Sequence, residues 1–401
     1  MAHIVFAWEL GGGLGHAGSI KPLAQEARRR GHQVSLCLRD LVHTDAVLRN
    51  IDAHRFQAPV WLHQVNGIPS PPANMAEILM SCGYLNADAL RGLWIGWRSL
   101  LASLKPDFLV ADYSPTAVLA ARSLGIPSAS TGLGFFIPPD ATPLPKIRDW
   151  ESIQPGRLEH AETTVLNSIN TVFREAAFPP LQRLSQALMG DTPLLLSWPE
   201  LDPYGREVLP PGQRWWGPSM LQAGGEIPIW PKGDGAKVFA YLKSGHPDHE
   251  LVLKALVKLG CRTVCYLPEV AAGRPPPVVS PLIHYSAGPS DLTHTLPGCD
   301  LCICHAGSAT IAQALLLGVP ALLLPTQAEQ FLVARRIGKI GMGINAAERV
   351  RPLDYITLIA SMLGESSYRS AARTFADRYA GFTPAQQTLD LVDEFEKLLS
   401  Q

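Results

Sequence analysis

Short apolar runs alternate with amphipathic stretches along most of this chain. Runs bounded by turn residues predict buried strands at 4–8, 33–38, 108–112, 127–131 and 193–197. Apolar positions recurring every three or four residues predict helices at 20–30, 74–104 and 116–124, the last closed by Gly125 with Pro127 beyond it. The second half repeats the pattern, with strands at 238–242, 263–267, 282–285, 301–304 and 321–324, helices at 249–259 and 309–317, and a helical tail from Pro352. Strand–helix alternation of this kind predicts an α/β chain with doubly wound parallel sheets.

Periodicity fails over 210–235, which gathers proline, glycine and Trp215, Trp216 and Trp230. That is the composition of an interdomain linker. The expected organisation is an N-terminal domain over 1–210, a linker over 211–235 and a C-terminal domain over 236–380, with a last helix at about 380–401 returning to the first domain. The polar, proline-rich stretch 138–155 reads as a surface loop, followed by a helical run over 158–178.

A length of 401 residues fits two cores. With 47% hydrophobic and 17% charged residues the chain is globular rather than disordered. The net charge is −1, and the largest charge block, Arg28-Arg29-Arg30, sits beside Gly31 as a helix end would, so no nucleic-acid partner is expected. Met1-Ala2-His3 leads straight into a strand, and the apolar stretch 314–325 is interrupted by Gly318 and Pro320. Neither a signal peptide nor a transmembrane segment is expected, and the expected location is cytoplasmic. Seven cysteines, an odd number, argue against a disulfide framework. Cys299-x-x-Cys302-x-Cys304 has metal-like spacing, but alternation along a buried strand predicts small apolar side chains, and no metal is expected.

Two glycine-rich turns carry the chemistry. The first, Gly11-Gly12-Gly13-Leu14-Gly15-His16-Ala17-Gly18, contains the dinucleotide fingerprint Gly13-x-Gly15-x-x-Gly18, and Asp40 stands where a ribose-binding acid would. His16 speaks against that reading, because its ring takes the space a dinucleotide needs. A histidine at the positive end of a helix stays neutral more readily, as a general base must. Asp112, at the end of the 108–112 strand, is the carboxylate placed to orient it. The competing readings make His16 a surface histidine and Asp112 a helix N-cap, with Ser114 the rival cap.

The second turn, His305-Ala306-Gly307-Ser308-Ala309-Thr310, precedes an apolar helix. Its N–H groups and two hydroxyls make a diphosphate site that needs neither a Walker lysine nor a metal. Beyond the next strand, Pro325-Thr326-Gln327-Ala328-Glu329-Gln330 offers a carboxylate and amides suited to sugar hydroxyls; the alternative is a solvated first turn of a helix.

These residues resemble those of GT-B glycosyltransferases, closest to the family 1 group of UDP-glycosyltransferases and bacterial antibiotic- and glycolipid-type enzymes. The resemblance rests on His16 with Arg30-Gly31-His32, on Pro106-Asp107-Phe108 through Asp112 and Leu124-Gly125-Ile126-Pro127, and on Leu296-Pro297-Gly298-Cys299-Asp300 through Thr310, Gly318-Val319-Pro320 and Glu329-Gln330. It implies two Rossmann-like domains facing a central cleft, the acceptor in the first and a nucleotide-sugar donor in the second. His16 would be general base with Asp112 its partner. His305, Gly307, Ser308, Ala309, Thr310, Lys243, Ser244 and Gly15 would serve the donor diphosphate, and Gln327, Glu329 and Gln330 the donor sugar. Three departures stand out: Ser19 where a proline is common, Glu329-Gln330 for an Asp-Gln pair, and no base-stacking tryptophan. The segment 284–290 replaces that tryptophan, making Tyr285, Ser286 and Ser290 the base-binding candidates.

The resulting expectation is an inverting glycosyltransferase that moves a sugar from a UDP- or dTDP-sugar, as co-substrate, to a hydroxyl of a small acceptor, with no cofactor required. Trp61, Trp94 and Trp97 and the Leu133-Gly134-Phe135-Phe136 loop point to an apolar or aromatic acceptor, with core packing as the alternative. A sugar-nucleotide epimerase on the same fold would need several acid/base carboxylates, and the N-terminal half offers mainly Asp112. An NAD-dependent oxidoreductase must accommodate His16 and a second phosphate turn, and a non-catalytic binding protein leaves His16 and Asp112 without a task. Nothing in the sequence sets an oligomeric state.

Overall fold

The apolar runs become two sheets of six strands each, with every paired strand parallel. The computed structural model describes residues 1–220, 224–243 and 245–400. The first run of elements is β1 (His3–Trp8), α1 (Gly15–Arg29), β2 (Gln33–Leu38), α2 (Leu41–Leu48), β3 (His54–Gln57), α3 (Met75–Leu79), α4 (Ala87–Leu104), β4 (Phe108–Asp112) and α5 (Pro115–Ser123). It continues with β5 (Ser128–Gly132), α6 (Arg157–Glu175), α7 (Ser185–Met189) and β6 (Thr192–Leu195). The second run is β7 (Lys237–Tyr241), α8 (His249–Lys258), β8 (Arg262–Tyr266), α9 (Pro268–Ala271), β9 (Ile283–Tyr285), α10 (Leu292–Thr295), β10 (Leu301–Cys304) and α11 (Ser308–Leu316). Then come β11 (Ala321–Leu323), α12 (Ala328–Lys339), β12 (Gly343–Asn345), α13 (Tyr355–Gly364), α14 (Ser366–Arg378) and finally α15 (Pro384–Leu399).

The chain divides into one unit of Met1–Ser219 with Thr383–Gln401 and a second of Met220–Phe382. Strand order is β3-β2-β1-β4-β5-β6 in the first and β12-β11-β10-β7-β8-β9 in the second. Each order reverses once, between β1 and β4 and between β7 and β10, and ligands of doubly wound sheets bind at the carboxyl ends of the strands beside such a reversal. Trp8 pairs with Asp112 at the first reversal. At the second, Lys243 and His305 follow the two strand ends.

α15 belongs to the first unit because its buried stripe is long enough to cover β1 and β4. Phe395 lies edge-on to Phe6 at 6.3 Å and tilted against Phe108 at 5.8 Å. Arg30 reaches Asp393 and Glu396, and His32 Nε2 lies 2.9 Å from Glu396. Arg29 and Arg30 also pair with Glu26, so the basic block is spent inside the fold.

Two expectations are corrected. The helix expected over 74–104 breaks into α3, a π turn at Met80–Tyr84 and α4, because Gly83 takes φ 94° and Asn86 caps Ala89 N. The loop over 138–155 is not a surface loop: Leu144 and Ile147 are buried, and Ile147 N donates to Ala73 O. The 211–235 segment has both ends built in, since Trp215 bridges Leu195, Gln387 holds the carbonyls of Trp216 and Gly217, and Glu226 bridges Ser290. All seven cysteines are free, and no group of His, Cys, Asp or Glu among the described residues could hold a metal ion. No helix among them is long and apolar enough to cross a membrane.

Candidate active site

In the first unit, His16 enters α1 one residue after its start, and Asp112 ends β4. His16 Nδ1 lies 2.9 Å from Asp112 Oδ1, with the histidine side chain 14% exposed and the aspartate 4%. Asp112 accepts from Nδ1–H, which fixes the tautomer and leaves the basic lone pair on Nε2. Asp112 therefore does not cap α5, and Ser114, at the N-cap, makes no side-chain cap bond either. Rings enclose the imidazole: Trp8 stacks on it at 5.0 Å, and Phe136 and Tyr113 lie at 5.9 and 6.5 Å. Two glycines make the room. A Cβ on Gly11 would stand 2.7 Å from His16 Nε2, and one on Gly132 would fall inside the Phe136 ring. Asp40 is taken up elsewhere: it caps α2 by accepting His43 N at 2.9 Å, which removes the ribose-binding acid from the dinucleotide reading.

In the second unit, the turn before α11 is tight. Ala306 adopts φ 58°, a left-handed conformation that disfavours side chains, and Gly307 at the N-cap offers no side chain to the helix. The first turn of α11 thus presents backbone N–H groups with Ser308 and Thr310 beside them. His305 is placed differently from the direct phosphate ligand the sequence suggested. It is 3% exposed; Nδ1–H donates to Leu324 O at 2.5 Å and Nε2 accepts Lys243 N at 2.7 Å. That geometry ties the β7 and β10 strand ends together, and burial pushes the imidazole's proton affinity down. Ser244 lies outside the described residues. His246 and His249 have ring centroids 5.6 and 5.4 Å from that of His305, a neighbourhood the sequence did not single out. Burial, then the neighbouring histidines, push His249 down to about 4.

Residues 288–393 match the family described as erythromycin biosynthesis protein CIII-like, C-terminal domain. The chain is 24% identical over 358 residues to a PGL/p-HBAD biosynthesis glycosyltransferase of Mycobacterium tuberculosis (strain ATCC 25177 / H37Ra), covering 80% of this chain and 78% of that one. The solved glycotransferase of kitacinnamycin superposes with a TM-score of 0.72 at 18% identity, covering 99% of each chain. The chain is a glycosyltransferase with the GT-B fold. A spinosyn rhamnosyltransferase complexed with thymidine diphosphate has the same fold, with a TM-score of 0.63 at 18% identity over 98% of this chain and all of that one.

The remaining candidates of this glycosyltransferase are unevenly placed. Gln327 is exposed at the N-cap of α12, Glu329 is half-buried, and Gln330 Oε1 accepts both Thr326 N and Thr326 Oγ1 at 3.0 Å, stapling the turn that carries them. Tyr285 donates its hydroxyl to Val278 O, and the Ser286 and Ser290 hydroxyls bond each other at 3.0 Å. Glu226 accepts from the amides of Ala287 and Gly288. Trp94 is a core residue rather than a surface one, packed 6.3 Å from Phe173 and 6.1 Å from Phe178. Trp61 is half-buried against Gly83, Trp97 is fully buried, and Phe135 and Phe136 are nearly so. Gly15 opens α1 and is exposed.

One group escaped sequence reading altogether. Glu9, directly after β1, is fully buried, and its carboxylate accepts Thr116 N at 2.9 Å and Thr116 Oγ1 at 2.5 Å. A glutamate between Trp8 and Leu10 was the available signal: a charge in an otherwise apolar run at a strand end.

Proposed function

We propose that this chain is an inverting glycosyltransferase in which His16 is the general base. His16 Nε2 takes the proton of an acceptor hydroxyl, whose oxygen forms the new bond to the anomeric carbon. The bond from that carbon to the donor's diphosphate breaks on the opposite side, and the diphosphate leaves with the electron pair. Asp112 holds Nδ1–H and offsets the charge that forms on the imidazole. The observation that carries this reading is the 2.9 Å His16–Asp112 pair at the sheet's reversal point.

The donor falls to the second unit. Gly307, Ser308, Ala309 and Thr310 on the first turn of α11 meet the diphosphate, where oriented N–H groups stabilise the charge of the leaving group. Lys243 and Ser244 follow the adjacent strand end, Gly15 belongs to the same assignment, and His305 acts by holding Lys243 in place. Gln327 and Glu329 take the donor sugar with Gln330 bracing their turn, and Tyr285 with the backbone of the Ser286–Ser290 segment takes the base. A UDP- or dTDP-sugar fits; the structurally similar spinosyn enzyme complexed with thymidine diphosphate supports the dTDP form. The rings of Trp8, Tyr113 and Phe136 about His16 support an apolar or aromatic acceptor, with Trp61 and Phe135 beside this group in the assignment.

His16→Ala should abolish transfer while leaving nucleotide affinity within about twofold, since the donor is assigned elsewhere. Isothermal titration with UDP and dTDP, alongside a mass-spectrometric transfer assay over an acceptor panel, checks both halves. Transfer at the wild-type rate by the variant would refute the base assignment.

A further inference from the structure

Glu9 is an acid in an expensive place. A fully buried carboxyl that faces no cation is costly in its charged form, yet a glutamine, with a single acceptor oxygen, could not accept the two bonds that the two carboxylate oxygens of Glu9 accept. Among the described residues no lysine or arginine pairs with its carboxylate; the Arg39 guanidinium bonds the Glu9 backbone carbonyl instead, at 2.8 Å. Its remaining polar surroundings are Thr116, the Ser114 hydroxyl, the Ala117 amide, Tyr84, whose hydroxyl lies 2.6 Å from Thr116 Oγ1, and Cys82. Thr116 is the second residue of α5, whose N-cap residue Ser114 makes no side-chain cap bond to the helix. Glu9 therefore does the capping from the neighbouring strand. The corner between β4 and α5 is strained, with Tyr113 at φ 48°, and its carbonyl is held by Leu10 N at 3.0 Å. Both residues that follow β1 thus grip the corner that follows Asp112, while Trp8, just before them, stacks on His16.

We propose that Glu9 is a positioning residue for sugar transfer: it clamps the first turn of α5 and with it the corner after Asp112, keeping Asp112 on Nδ1 of His16. This inference rests on the reading of His16 as the base. The clamp depends on charge. Ionised, Glu9 accepts from both donors of Thr116; protonated, it brings a donor of its own, and the Tyr84–Thr116–Glu9 chain must reverse. Burial pushes Glu9 up to about 7, so the clamp is tight above neutrality and slackens below it. The acid limb of the rate then contains two ionisations, the imidazole and Glu9, and steepens accordingly.

The test uses the full chain and four variants. In wild type, log kcat/KM for the acceptor should fall on the acid side with a slope approaching two. Glu9→Gln, which carries a donor in place of one acceptor oxygen at every pH, should lower kcat/KM above neutral pH by roughly ten- to hundredfold and show a slope of one. Glu9→Ala should lower kcat by roughly ten- to hundredfold with nucleotide affinity unchanged, and the His16 Nδ1–H proton resonance should move upfield from its wild-type position. Unchanged slope in Glu9→Gln, or unchanged kcat and resonance in a folded Glu9→Ala, overturns the proposal. His16→Ala and Asp112→Asn separate the two levels: activity retained in both sinks the base assignment, whereas activity lost in both and unaffected by Glu9 changes sinks only the clamp.

Discussion

At the residue scale, Gly11 shows how much of the site depends on what is missing. The triple glycine after β1 reads in sequence as a phosphate cradle, but its tightest constraint is the ring of His16. Gly11 has φ 76°, and a Cβ there would stand 2.7 Å from His16 Nε2 and 3.3 Å from the Tyr113 ring. Gly12, one residue on, has open space around the same position. Gly11→Ala is therefore expected to cut transfer about a hundredfold by displacing the imidazole, at a stability cost of roughly 1–2 kcal/mol for the left-handed backbone. Gly12→Ala should stay within about twofold of wild type. Steady-state kinetics on the pair decides it, and equal effects at both positions would mean that the turn, not the ring, sets the constraint. His16 and Asp112 were legible because one interrupts a glycine-rich turn and the other ends an apolar strand. Glu9 was not, because only the fold brings Thr116 to it; the engagement of His305 with Lys243 and Leu324 is invisible for the same reason.

At the element scale, the strands with continuous apolar runs were legible almost to the residue: 33–38, 108–112 and 301–304 coincide with β2, β4 and β10. β3 was not, since His54–Gln57 lies at the sheet edge with no residue of its four fully buried, and so carries no apolar signature. Nor was the break before α4, where one left-handed glycine outweighs a continuous helical periodicity. α15 poses the opposite problem: its amphipathic pattern is plain, but which surface it covers depends on packing. Phe395 is fully buried against Phe6 and Phe108, so Phe395→Ala should cost roughly 3–5 kcal/mol. Lys397→Ala, on the exposed face of the same helix with a side chain 64% exposed, should cost less than about 0.5 kcal/mol. Urea unfolding monitored in the first unit checks the contrast. A Phe395→Ala cost below about 1 kcal/mol would mean that α15 does not complete that core.

At the scale of the whole molecule, the two units should answer acid in opposite ways. In the second unit burial lowers the proton affinity of His246, His249 and His305, His249 from 6.5 to about 4. The unfolded chain binds those protons more tightly, so the stability they contribute is complete above the ordinary histidine value and drains away as pH falls. His249 alone then loses about 1.4 kcal/mol by roughly pH 5.5. In the first unit Glu9 is raised from 4.5 to about 7, and the sign reverses: its contribution is complete in acid and is lost as pH climbs through neutrality. Between about pH 5.5 and 7.5 that amounts to roughly 2 kcal/mol in favour of the acid side. Glu162 works in the same direction and the lowered His3 against it, leaving Glu9 the largest of the three by virtue of its complete burial. Hydrogen exchange of the full chain at both pH values, corrected for intrinsic rates, resolves the units separately, because their slowest amides lie on different sheets. Protection should fall in β7, β8 and β10 at the lower pH and hold or rise in β1, β4 and β5. Saturating UDP or dTDP at either pH should restore protection in the second unit by mass action on the folded form. Glu9→Gln should flatten the pH response of the first unit and leave that of the second unchanged. A second unit equally protected at both pH values would mean that its histidines are not held neutral by burial, and the argument from the His246, His249 and His305 neighbourhood would fall with it.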